Sequence, residues 1–163
     1  MKRLLTITIS MCLMITLRAQ VIIDTEDFKM LDNTNWEGTL TYLDYTSGKP
    51  TDVATTMQMR ISENTIEQDI QYVWEPHKNV KSKTKIKKNG KFLGSQEVIS
   101  KSFNKENKTV IITSTQGKDD GRKATLYFTY EFDEDSYKVS KEVQLDDSED
   151  RFVRNSYQYT RIK

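Results

Sequence analysis

The chain has 163 residues, with 25 Lys and Arg against 24 Asp and Glu, one histidine and one cysteine. A formal net charge of +1 excludes the general pull toward nucleic acid or acidic membrane that a strongly basic domain exerts. One cysteine excludes a disulfide framework, and the length suits one domain with its own core.

The first predicted element is a leader. In "MKRLLTITISMCLMITLRAQ", Lys2 and Arg3 precede an uncharged apolar run from Leu4 to Leu17, and the small Ala19 follows Arg18. The run is shorter than the roughly 20 residues a bilayer core needs, so it reads as a secretory signal (1–19) cleaved after Ala19, with a retained membrane anchor as the alternative. Cys12 follows the bulky Met11 inside the run, which argues against lipid attachment there. Cleavage removes that cysteine and leaves 22 basic against 24 acidic residues. The mature chain (20–163) is then a cysteine-free single domain, exported to the periplasm or beyond the cell, with no stable transmembrane segment.

After "VIID", the stretch "DTEDFKMLDN" predicts a short N-terminal helix capped by Asp24 or Thr25, with Phe28, Met30 and Leu31 facing inward. From Trp36 onward the pattern changes to period two, in runs of β-branched and aromatic residues closed by turn residues. The punctuation "TSGKP", "SEN", "EPHKN", "KKNGK", "NKENK", "QGKDDGRK", "DEDS" and "DDSED" cuts the chain into about nine runs, the spacing of an antiparallel meander. Asn89-Gly90 is the clearest hairpin turn, since both φ angles are positive in the tight two-residue form.

Alternation assigns the faces. Trp36, Leu40 and Tyr42 share one face of the first strand, Val53, Met57, Met59 and Ile61 one of the second, and Ile66, Ile70, Tyr72 and Trp74 one of the third. Leu126, Phe128, Tyr130 and Phe132 follow the same rule, as do Tyr137, Val139 and Val143. The opposite faces are Thr, Gln, Glu and Lys, which predicts an all-β fold with one wet side. A barrel of about eight to ten strands buries the other side and removes both exposed edges, and a two-sheet sandwich satisfies the alternation equally well.

A helical turn, a tryptophan near a glycine at the start of strand one, a hairpin-linked meander and arginine on the last strand together resemble the calycins, and most of all small bacterial secreted lipocalin-like proteins. Lipocalins place glycine two residues before the tryptophan, whereas Gly38 here comes two after Trp36. The resemblance implies that Arg154 or Arg161 packs over Trp36 to close one end, and that the interior holds an apolar or amphipathic molecule. On that reading Trp36, Tyr42, Met57, Met59, Tyr72, Phe128, Tyr130 and Tyr157 surround the ligand, with Lys141 or Arg161 at its polar end. The same residue types fill a solid core equally well.

Catalytic material is sparse. His77 stands alone in the turn "WEPHKN", with no nucleophile elbow or second histidine nearby, and the expectation is a protein that is not an enzyme and carries no cofactor or metal. The acidic clusters "GKDDG" and "DDSED" lack calcium-loop spacing and read as solvated turns. Asn107-Lys108-Thr109 fits a glycosylation acceptor, a pattern without weight outside a eukaryotic context. Residues 78–91 carry seven lysines and no acid. Lys83, Lys85 and Lys87 form a stripe that would either meet an anionic envelope component, the alternative function for a barrel with a filled interior, or simply protect a solvated face. Lys141 falls on the predicted inner face and needs either the rim or an acidic partner, for which Asp44 is one candidate.

Overall fold

A computed structural model describes residues 21–163; the predicted leader and Cys12 lie outside the described residues. Ten antiparallel strands close into a barrel in which each strand pairs with its sequence neighbours and the last pairs with the first. They are β1 (Thr34–Leu43), β2 (Pro50–Ser62), β3 (Thr65–Tyr72), β4 (Val80–Lys87), β5 (Phe92–Leu93), β6 (Gln96–Phe103), β7 (Thr109–Asp119), β8 (Arg122–Phe132), β9 (Ser136–Leu145) and β10 (Arg151–Arg161). This is a lipocalin-like barrel and not the sandwich. Ten strands fall within the eight to ten expected, and the one beyond the nine runs counted in the sequence is β5, which has only two residues.

The predicted helix is a 3₁₀ segment, Glu26–Leu31. It runs for only two turns at three residues per turn, which fits the short reach of that geometry. Its start is stabilised reciprocally: the Asp27 carboxylate accepts the Asp24 N–H at 2.9 Å, and the Asp24 carboxylate accepts the Asp27 N–H at 3.3 Å. Phe28 and Leu31 are buried as predicted, but Met30 points to solvent because three-fold geometry turns it off the face they share. Trp74 is also corrected: it lies beyond the end of β3 and is 82% exposed.

The segment plugs the end of the barrel where β1 begins. Phe28 stacks on Phe132 with ring centroids 5.4 Å apart, and Trp36, Met59, Ile111 and Leu31 pack around them at 0–2% exposure. The Trp36 indole N–H donates to the Thr34 hydroxyl at 2.7 Å, and that hydroxyl donates to the Leu31 carbonyl at 2.6 Å. Among the described residues no buried side-chain nitrogen or oxygen is left without a partner, which would cost about 1–3 kcal/mol.

Two glycines shape this end. Asn89 and Gly90 have φ of 54° and 85°, the predicted left-handed pair. Lys88 is left-handed too at 51° and pairing stops at Lys87 and Phe92, so the connection is the loop 88–91 and not the tight two-residue form. The Gly90 carbonyl accepts the Ile23 N–H at 3.0 Å, and a Cβ on Gly90 would stand 2.2 Å from the Ile23 carbonyl oxygen. Only glycine lets the N-terminal strap lie against the hairpin. Gly38 faces Tyr159 across the β1–β10 pair, and a Cβ there would meet the Gln158 carbonyl oxygen at 2.0 Å.

Candidate functional site

The two ends of the interior differ. Toward the base most inward side chains are buried, with Ile61 and Gln68 partly accessible. In the upper half Leu40, Tyr42, Val53, Tyr72, Leu126, Phe128, Val139 and Tyr157 keep part of their surface accessible, while Ala124 and Val143 are buried. Strand register puts them in one zone, since Leu40 lies opposite Val53 and Tyr157, Tyr157 opposite Val139, and Phe128 opposite Lys141. The inner side of the upper half, the cup, is walled mainly by apolar side chains that are only partly covered.

A belt of hydroxyl and amide groups forms the cup's floor. The Gln68 amide donates to the Tyr137 hydroxyl at 3.3 Å, and the Thr55 hydroxyl donates to that of Tyr159 at 3.3 Å. The Gln96 carbonyl accepts from Thr113 at 2.6 Å and from Tyr130 at 2.9 Å. The Tyr72 and Tyr157 hydroxyls share a hydrogen bond of 2.8 Å across the interior. Burial pushes the phenols of Tyr130 and Tyr159 up to about 12, and those of Tyr137 and Tyr157 higher still, because a phenolate has little water there to solvate it.

Most of the sequence-predicted ligand residues fall in the interior, but at different depths. Tyr42, Tyr72, Phe128, Tyr157 and Lys141 line the cup; Met57 and Tyr130 lie at its floor; Trp36 and Met59 belong to the sealed core. The two predicted cations are separated. Arg161 sits opposite Trp36 at the sealed end, and its guanidinium donates to the Glu134 carbonyl at 3.2 Å. Lys141 stands at the rim with a partner that sequence reasoning missed.

That partner is Asp119, the last residue of β7 and only 8% exposed. Its carboxylate has the Lys141 ammonium at 3.8 Å and the Arg154 Nε at 3.5 Å, and accepts a hydrogen bond from the Tyr45 hydroxyl. Arg154 is the extra residue at a bulge in β10; it stacks on the Tyr45 ring at 3.7 Å and donates to the Leu43 carbonyl. Half of the "GKDDG" reading is thereby corrected: Asp120 is an exposed turn residue, whereas Asp119 is a buried ion partner. Period-two counting from Ala124 through the hairpin places Asp119 inward, a signal that its turn-like composition masked. Asp44, the candidate partner for Lys141, instead accepts the backbone N–H groups of Thr46 and Ser47 at 2.8 and 2.7 Å, and these bonds hold its carboxyl below the usual range.

The lysine stripe faces outward and is partly neutralised. Lys83 pairs with Glu67 at 2.6 Å and Lys81 with Asp69 at 2.8 Å, acids that the neighbouring β3 supplies. His77 lies exposed in the short turn Pro76–Lys78. Among the described residues no cluster of His, Cys, Asp and Glu has the arrangement of a metal site, and no helix is long and apolar enough to cross a membrane.

No protein-family model matches the chain, and no curated protein matches it. Among solved structures the barrel is similar to the S-type phycobiliprotein lyase CPES from Guillardia theta, at 10% identity and a TM-score of 0.47, over 86% of this chain and 94% of that one. So distant a likeness assigns neither ligand nor reaction. It does correct one expectation: the lack of a catalytic constellation was read as "not an enzyme", and the matched protein is itself described as a lyase. A sparse set of acid–base groups is no ground for excluding catalysis on this chain.

Proposed function

We propose that the barrel binds a small amphipathic molecule in its open half. The observation that carries this reading is the contrast in burial between inward side chains of the same type: Phe132 is sealed, whereas Phe128, two pairs along the same strand face, keeps accessible surface. A solid core would bury both. The apolar part of the molecule lies among Leu40, Val53, Leu126, Phe128 and Val139, and polar groups reach the hydroxyls of Tyr72 and Tyr157 or the Lys141 ammonium. Lipocalin-like architecture fits such use, because a closed barrel of this size has room inside for one small ligand. We further propose that the protein acts outside the cytoplasm, on the strength of the leader pattern in residues 1–19.

The amphipathic fluorophore 1-anilinonaphthalene-8-sulfonate tests the cup directly. Saturable binding at one site is expected, abolished by Phe128→Glu and unchanged by Lys83→Gln on the outer face. Non-saturable fluorescence, or wild-type binding by a folded Phe128→Glu protein, would overturn the reading. Native mass spectrometry of protein taken from its own cells without detergent would then identify what the cup retains.

A further inference from the structure

Among the described residues the wall around the cup is incomplete on one side. β5 has two residues, so β4 pairs with it only at Ile86 and Lys87, while Val80–Thr84 pair with β3 alone. β6 begins at Gln96 and reaches β7 no higher than Ser114, so Thr115–Asp119 pair with β8 alone. Between these two edges, the Gly94–Ser95 turn is the highest point of the wall among the described residues. β4 and β7 are three strand intervals apart, so the notch is about 14 Å wide, and five residues of free β7 edge make it about as tall. Its rim is mostly small side chains: Ser82 and Thr84 point inward from β4 beneath Val80, and Thr115 and Gly117 from β7 beneath Asp119.

The axial mouth is obstructed over a different arc. Tyr45, in the loop after β1, reaches Asp119 at the end of β7, and Arg154 and Lys141 fill the span between them. Beneath this chord Ala124 and Val143 are buried at 1% and 0%. In a ring of ten strands β10 stands opposite β5, so the notch looks across the cup at Tyr157, whose hydroxyl meets that of Tyr72.

We infer that the ligand passes in and out of the cup sideways, through the notch between β4 and β7 above the Gly94–Ser95 turn, and not past the Tyr45–Asp119–Arg154 chord. This inference rests on the cup reading. It adds a specificity rule: the molecule is flat or narrow enough to cross a strand-edged slot, whose free backbone N–H and C=O groups suit a ligand with hydrogen-bonding substituents along its length.

The test uses a reversible plug on one preparation of protein, so that misfolding cannot mimic a block. In a Cys12→Ser background, Ser82→Cys is labelled with benzyl methanethiosulfonate, and binding of 1-anilinonaphthalene-8-sulfonate is followed by rapid mixing. Labelling is expected to slow association and dissociation by at least about tenfold, as a closed gate does, with wild-type rates returning on addition of dithiothreitol. Thr115→Cys, labelled in the same way, should behave alike, and Tyr45→Ala should leave both rates unchanged. Unaltered rates in the labelled proteins, or faster rates in Tyr45→Ala, would overturn the lateral route while leaving the cup intact. Failure of the unlabelled protein to bind the probe overturns the cup and the route together.

Discussion

The sealed end and the open half of this barrel are built from the same strands, yet one is packed and the other is not. At the sealed end an added piece of chain, the strap at Ile23 and the 3₁₀ segment, brings Phe28 and Leu31 into the interior; at the open half no such insert enters among the described residues. A ten-strand ring is too wide for wall side chains alone to fill, so a plug decides where core ends and cavity begins. Sealing and binding are thus properties of the connections more than of the strands.

The contrast can be broken most severely at the plug. Phe132→Ala removes the partner of Phe28 and should cost about 3–5 kcal/mol in chemical denaturation, whereas Phe128→Ala in the cup should cost less than half of that. Equal losses would mean that the cup is as tightly packed as the core. Gly90→Ala is the next largest, because it strains a backbone at φ 85° and drives a methyl into the Ile23 carbonyl; a loss of about 1–3 kcal/mol and early proteolysis near residue 23 are expected.

Alkali should sharpen the comparison. A tyrosine whose folded pKa is raised above its ordinary value near 10 stabilises the fold fully below pH 10 and loses that contribution as pH rises through the folded value. For Tyr130 and Tyr159 that window runs from about 10 to about 12. Absorbance at 295 nm should therefore show the belt tyrosines ionising only as circular dichroism reports unfolding; ionisation of all eight before any unfolding would show a belt open to water. The smallest effect belongs to the outer face. Lys83 is 71% exposed in its pair with Glu67, so Lys83→Gln should leave the melting curve unchanged within error.

Period two and turn chemistry carried the fold far. Trp36, Met57, Met59, Phe132 and Tyr137 are where alternation puts them, and Asn89-Gly90 turns the chain as its φ preference requires. What alternation could not supply was depth along the barrel. Trp36 and Tyr42 share a face and differ only in height, and height is fixed by which connections fold inward. The Asp119 cluster was hidden for another reason: Tyr45, Asp119 and Arg154 come from three distant segments, and that of Asp119 read as a solvated turn. Pairing Lys141 with an acid was sound physics, but Asp44, at the end of the first strand, was the wrong acid, and the register of β7 to β10 chose Asp119.

The bond from Ile23 to Gly90 also fixes which way the barrel faces. Residue 21 enters beside the β4–β5 hairpin, and the last strand leaves past the Asp135 turn, where the Arg161 N–H meets the Asp135 carbonyl at 3.0 Å. Both ends of the described chain therefore emerge from the sealed base. A tether, tag or solid support joined at either end would hold the barrel upright, with cup and notch turned toward the surrounding solution.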